Sequence, residues 1–202
     1  MRFLELDIAG LRAASINLCK LISDDYKPDL VVYLARGGYF IGADVATYFG
    51  CQMAELDRHR EEFIQKKPGL LQGLPHWLKH FLRTIEFYLR GNGNEYSDLD
   101  SIEPARFTSR YEWPAAPNCI LLVDDSIDSG ASIAAALKAL KGKYPGAEVK
   151  VAVLNTFIPS SKKVPFDWAL MTNTLISTPS SKDNPYYQEF CKLYESNGYR
   201  ND

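Results

Sequence analysis

The chain has 202 residues, enough for one domain with a sizeable core, and its 46% hydrophobic and 24% charged residues are an ordinary globular composition. A formal net charge of −2 argues against a general basic surface, so nucleic acid is not an expected partner. No N-terminal apolar segment runs into a small-residue cleavage site and no run of about 18 apolar residues is present, so no membrane span and a cytoplasmic location are expected.

Residues 7–24 place Ile8, Leu11, Ile16, Leu18, Leu21 and Ile22 at helical spacing. Residues 30–34 (LVVYL) are a short, β-branched apolar run, the mark of a strand buried on both faces. It ends in Ala35-Arg36-Gly37-Gly38, after which 39–49 returns to a helical pattern that Gly50 stops. A second strand is expected near 51–56. Within the irregular stretch 57–118, an amphipathic helix is expected over 74–89, carrying Trp77 and a His76/His80 pair. That pair lacks the glutamate of a zinc-binding H-E-x-x-H helix, and no third ligand is evident. Trp77 and Trp113 read as core or interface aromatics. Residues 120–123 are the next buried strand, 132–143 a helix and 149–154 a strand, with 168–171 and 174–176 as two more. The last dozen residues are expected to fray. Strands alternating with helices predict an α/β fold with a mostly parallel sheet. Cys19, Cys51, Cys119 and Cys191 are far apart with no C-x-x-C pair, and read as free thiols of a reducing compartment.

Ligands of open parallel sheets sit at the carboxyl ends of strands, and two strand ends here have unusual sequence. At 120–132 (ILLVDDSIDSGAS) a buried strand runs into Asp124 and Asp125, then into small residues around Gly130 that lead to a helix. Such a loop can turn its amides and hydroxyls into one concavity beside a helix N-terminus, which suits a phosphate monoester. Carboxylates next to that anion must serve another part of the ligand, and sugar hydroxyls or a magnesium ion are the natural partners. At 33–42 (YLARGGYFIG), Gly37 and Gly38 allow backbone amides to approach an anion while Arg36 adds charge.

The stretch 120–132 resembles the 13-residue phosphoribosyl pyrophosphate (PRPP) motif of type I phosphoribosyltransferases, with serine in place of threonine at Ser129 and Ser132. The stretch 33–42 is similar to the pyrophosphate loop of the same family, in the style of its xanthine–guanine and hypoxanthine members. The likeness spans about 10–56 and 118–180. It implies the type I phosphoribosyltransferase fold: one domain over 1–202, an insertion at about 57–118 that includes the 74–89 helix, and a small hood at about 160–195. It implies that Asp124 and Asp125 hold the ribose hydroxyls or a magnesium ion, which the bound PRPP can also carry. It implies a 5-phosphate site at Ser126, Ile127, Asp128, Ser129, Gly130, Ala131 and Ser132. Pyrophosphate would lie on Ala35, Arg36, Gly37 and Gly38, with a cis peptide at Ala35–Arg36. Asp128 would be the catalytic acid or base beside the purine.

The nucleobase half departs from the family's pattern. Asp167-Trp168 matches its aspartate–aromatic element, but Leu175 stands where the stacking tryptophan would be, so Trp168 and Leu175 are the candidate base pocket. Thr156, Phe157 and Ile158 occupy the place of the base-reading lysine, and Lys162 and Lys163 fall a few residues late, as loop residues. Arg58, His59 and Arg60 are candidates to face pyrophosphate or solvent. The 74–89 helix packs on the core or a second subunit, or covers the base. The expectation is therefore a magnesium-dependent transfer of phosphoribosyl from PRPP to a nucleobase-like acceptor, in a homodimer or higher homo-oligomer. Two other readings remain: a non-catalytic PRPP or nucleotide sensor, and transfer to a non-purine acceptor.

Overall fold

The computed structural model describes residues 2–57, 101–157 and 164–196. Five consecutive apolar residues without alternation make a strand that must be covered on both sides, and β2 (Leu30–Leu34) is buried at every position. It is flanked by β3 (Gln52–Asp57) on one side and β5 (Cys119–Ile127) on the other, both parallel to it. Beyond β5 lie β6 (Glu148–Thr156) and β7 (Trp168–Thr172), again parallel, while the two-residue β4 (Arg106–Phe107) closes the far edge antiparallel to β3. The order is β4-β3-β2-β5-β6-β7. A separate parallel pair joins β1 (Arg2–Glu5) to β8 (Thr174–Ser177).

Helices cover both faces. Helix α1 (Ile8–Ser23) is capped by Asp7, whose carboxylate accepts from the Gly10 N–H at 2.6 Å, and packs with α2 (Tyr39–Phe49). Their Leu11, Leu18, Ile22, Ile41 and Val45 meet Val31, Tyr33, Leu121 and Val123 of the sheet. Helix α3 (Ala131–Lys143) covers the opposite face, where Ile133, Ala136 and Leu140 meet Leu30, Val32, Ile120 and Leu122. Alternate residues of one strand thus serve two cores. A last helix, α4 (Tyr187–Ser196), buries Phe190 and Tyr194 beside α2.

These elements follow the expected ones closely, with four differences. Strand β5 continues to Ile127 rather than stopping at 123, because it stays paired to β6 through Ile127↔Thr156. Strand β7 extends the main sheet, and β8 alone contributes to the smaller one. Strands β1 and β4 were too short to show periodicity. Residues 191–196, expected to fray, belong to α4 and are anchored by its buried aromatics. The predicted helix over 74–89 and residues 197–202 lie outside the described residues. No described helix is long and apolar enough to cross a membrane.

A buried ion pair ties the far edge to the core. Glu55 of β3 accepts from the Tyr33 hydroxyl of β2, and its carboxylate lies 3.5 Å from the Arg110 guanidinium. Arg110 is itself enclosed by aromatic rings, 4.7 Å from the centroids of Tyr39 and Tyr194 and 5.6 Å from that of Tyr111. Burial and the donated hydrogen bond to Glu55 push the Tyr33 phenol far above its ordinary range, so it remains a proton donor at any working pH. All four cysteines are free thiols, and burial together with the nearby Asp44 raises Cys19 to about 12.

Candidate active site

The order of the strands puts a crevice between β2 and β5. The β2–α2–β3 crossover runs toward one edge of the sheet and β5–α3–β6 toward the other, so the chain changes direction there. Pairing between the two strands stops at Tyr33↔Val123. Past that point each strand keeps only its outer neighbour: the Ala35 N–H donates to the Leu56 carbonyl at 3.0 Å, and β5 runs on beside β6. The opened seam is the floor of a cleft of about 940 Å³.

From β2, the cleft receives Leu34, Ala35, Arg36 and Gly37. The turn is tight, with Gly38 N–H bonded to the Leu34 carbonyl at 3.0 Å and Tyr39 N–H to the Arg36 carbonyl at 3.1 Å. The Ala35–Arg36 peptide is cis, as the resemblance to the family's pyrophosphate loop implies. A methyl group on Gly37 would sit 3.1 Å from the Asp125 carboxylate, and one on Gly38 would sit 3.0 Å from the Leu34 carbonyl oxygen. A side chain at either position would crowd its neighbours where this loop meets β5. Arg36 is solvent-exposed and lines the cleft, whereas Gly38 starts α2 behind it.

From β5 come Asp124, Asp125, Ser126, Ile127 and Asp128, followed by Ser129, Gly130 and Ser132. Asp124 is buried, and its Oδ1 accepts from the Asp125 N–H at 2.9 Å. The Asp125 carboxylate accepts from the Thr178 hydroxyl at 3.2 Å and lies 3.5 Å from that of Ser126. Asp128 and Ser129 are exposed at the loop's crest. Gly130 turns the chain into α3 with φ of 82° and brings no capping side chain of its own; the Ser129 hydroxyl accepts from the Ala131 N–H at a long 3.4 Å. The first turn of α3 holds no acid, and its amides and partial positive charge face the loop. Ala131 is buried as the first residue of α3, behind the cleft wall.

Gly130 is also wedged: an added methyl would lie 2.8 Å from Val164 Cγ2. We expect Gly130→Ala to lose at least ~1 kcal/mol through the left-handed backbone alone, with the crowding added to it. Gly142, near the end of the same helix, meets nothing within 4 Å, and Gly142→Ala should instead stabilise by up to ~1 kcal/mol. Urea unfolding of the two variants checks the opposite signs.

The two candidate base-pocket residues lie elsewhere. Trp168 is buried, 5.8 Å from the Tyr26 ring, and pairs with Ala152 in mid-strand. Tyr26 donates to the carbonyls of Ile120 and Glu148, near the amino ends of their strands, so this aromatic pair sits away from the carboxyl edge that forms the cleft. Leu175 pairs with Phe3 in the small sheet and does not line the cleft; the next residue, Ile176, does. Alternation along a strand sends the two to opposite faces. Asp167 is committed to β6, its carboxylate accepting from the Val151 N–H at 2.8 Å. Arg58, His59, Arg60, His76, His80, Lys162 and Lys163 are outside the described residues.

Five polar residues of the cleft were not anticipated: Asp57 at the end of β3, and Thr178, Ser180, Ser181 and Lys182 after β8. The only sequence signal for the latter was a run of hydroxyl residues and a lysine directly after a strand. Among the described residues no three histidine, cysteine or acidic side chains cluster as a preformed metal centre.

No protein-family model and no curated protein matches the sequence. Solved structures do resemble its fold. A purine phosphoribosyltransferase from Pyrococcus horikoshii is 17% identical, with a TM-score of 0.57 over 90% of this chain and 96% of its own. The xanthine–guanine–hypoxanthine phosphoribosyltransferase of Helicobacter pylori is 15% identical, with a TM-score of 0.60 over 96% and 99%. A hypothetical protein from Neisseria gonorrhoeae with bound ppGpp is 16% identical, with a TM-score of 0.52 over 97% of each chain. The chain has the fold of the type I phosphoribosyltransferases.

Proposed function

We propose that the protein transfers the 5-phosphoribosyl group of PRPP to a nitrogenous base and releases pyrophosphate. One observation carries this reading: the crevice at which the strand order reverses gathers a phosphate-type loop, two adjacent carboxylates and an arginine–glycine loop. Each has a matching part in PRPP. Ser126, Ser129 and Ser132, with the amides from Ile127 to Ala131, take the 5-phosphate at the α3 N-terminus. Asp124 and Asp125 accept from the ribose hydroxyls. Arg36 and the backbone of Ala35, Gly37 and Gly38 hold the pyrophosphate.

The carboxylate oxygens of Asp124 and Asp125 are hard donors of the kind magnesium prefers, and two such residues suit an ion delivered on PRPP rather than a closed protein cage. Magnesium would neutralise charge on the pyrophosphate. In the transfer, a base nitrogen forms the bond to C1 of the ribose as the C1–oxygen bond breaks, and the electron pair leaves with pyrophosphate. Positive charge develops at C1, and catalysis rests on charge complementarity and on holding the nucleophile in line. Asp128, exposed at the crest of the loop, receives the proton given up by the base or stabilises positive charge on it.

The names of the Pyrococcus and Helicobacter structures favour a purine acceptor. Among the described residues, the cleft wall formed by Ile176, Thr178, Ser180, Ser181 and Lys182 offers no aromatic stacking surface, which makes a non-purine acceptor the next reading. The ppGpp of the Neisseria structure favours a third, a nucleotide sensor on the same scaffold. Four free thiols suit the reducing cytoplasm proposed as its location. A panel of purine, pyrimidine and other nitrogenous bases, each incubated with PRPP and magnesium and assayed for pyrophosphate, separates the three. Release with a purine supports the first reading, release only with another base the second. PRPP or nucleotide binding without release under any condition supports the third.

A further inference from the structure

We propose that Thr178 is a positioning residue: it holds the Asp125 carboxylate in the orientation that receives a ribose hydroxyl, and Ser180 fixes Thr178 for that task. The proposal rests on the PRPP reading of the cleft.

Unlike its neighbour Asp124, Asp125 is only half-buried, and the terminal torsion of an aspartate is broad, so a carboxylate at a cleft rim needs external restraint. Gly37 lies on one side, where an added methyl would be 3.1 Å from Oδ2. Ser126 supplies only a long contact of 3.5 Å to Oδ1. Thr178 Oγ1 lies 3.2 Å from Oδ2.

The direction of these bonds follows from proton counting. An ionised carboxylate only accepts, so the single hydroxyl proton of Thr178 points at Asp125. Thr178 Oγ1 is also 2.9 Å from Ser180 Oγ, and with its own proton already used it must accept there. The chain therefore runs one way, Ser180 to Thr178 to Asp125. The bond to Oδ2 fixes the plane of the carboxylate.

The support of Thr178 is itself rigid. The Ser181 N–H donates to the Thr178 carbonyl and the Asn184 N–H to the Ser181 carbonyl, each at 2.9 Å. The buried Asn184 amide then reaches the Ser177 carbonyl at 2.9 Å and the Leu6 carbonyl at 3.2 Å. Residues 177–184 are thereby fastened to the segment that follows β1, and Thr178 carries that anchorage across the cleft to β5.

Thr178→Val keeps the shape and removes the hydroxyl. Calorimetric titration with PRPP and magnesium, and separately with magnesium pyrophosphate, reads the effect. The diol-bearing ligand should bind roughly tenfold more weakly, the scale of one hydrogen bond to a charged group. Pyrophosphate, which has no diol, should bind as to the wild type, and Thr178→Ser should restore PRPP. Ser180→Ala should weaken PRPP in the same selective manner by a smaller factor, which keeps the proposal testable if Thr178→Val does not fold. Unchanged PRPP binding in both variants would overturn the positioning role. Equal loss of PRPP and pyrophosphate would do so too, since it signals general damage. If the wild-type protein binds pyrophosphate but not PRPP, the reading of the cleft fails and this proposal falls with it.

Discussion

Asp124→Asn/Asp125→Asn is expected to abolish saturable binding of PRPP with magnesium. Each carboxylate is assigned a charge-assisted hydrogen bond to the ribose, and such bonds are worth about 1.5–3 kcal/mol apiece. Losing both amounts to a fall in affinity of roughly a hundredfold to ten-thousandfold. Asparagine keeps the volume and still offers an oxygen to the Asp125 N–H, which Asp124 now accepts at 2.9 Å, so the fold of β5 should survive. The seam beside Asp124 is unpaired on the β2 side, which leaves β5's backbone dependent on β6 and not on the two acids. Circular dichroism confirms the fold and calorimetry reads the affinity. Wild-type affinity in a folded double variant would remove the acids from the ligand.

The largest expected effect on stability lies outside the cleft. Arg110→Met removes the guanidinium whose Cζ lies 4.7 Å from the centroids of both the Tyr39 and Tyr194 rings, and leaves Glu55 buried without its cation. Breaking a buried pair from one side costs about 3–5 kcal/mol, because the remaining charge must be protonated or left unscreened. For a domain of this size that is roughly 6–20 °C in Tm. Removing the charge from the other partner should restore much of the loss: Glu55→Gln still accepts from Tyr33 and no longer needs a cation. The double variant Glu55→Gln/Arg110→Met should therefore be more stable than Arg110→Met alone, and a thermal-unfolding cycle measures the coupling. A Tm within a degree or two of wild type for Arg110→Met would show that the pair contributes little.

Much of the architecture could be read from local pattern. Leu30–Leu34 and Tyr39–Phe49 fold over the predicted residues because an unbroken β-branched run and a helical repeat ended by glycine are each sufficient signals. The acids at 124 and 125 read as a strand end for a sound reason that nevertheless misplaced it. Polar residues rarely occupy a buried strand, but β5 past Val123 is paired on one side only, and its free side opens on the cleft. Helix α4 carried its signal in Phe190 and Tyr194, four apart, and was lost to the general tendency of chain ends to fray.

The cleft divides along the same line. The loops at 35–38 and 124–132 sit at strand ends in sequence as well as in space, so residue order alone exposed them. Trp168 was drawn to the base pocket by its neighbour Asp167, yet the pairing of β7 with β6 places it in the core against Tyr26. Thr178, Ser180, Ser181 and Lys182 reach the cleft only because β8 pairs with β1, a contact between the two ends of the chain that no local pattern encodes.

Under the proposed function this crevice binds PRPP. Calorimetric titration of the purified wild-type protein with PRPP in the presence of magnesium tests it most directly. Saturable binding near one equivalent per chain is expected, lost in Asp124→Asn/Asp125→Asn. No binding at millimolar PRPP would contradict it.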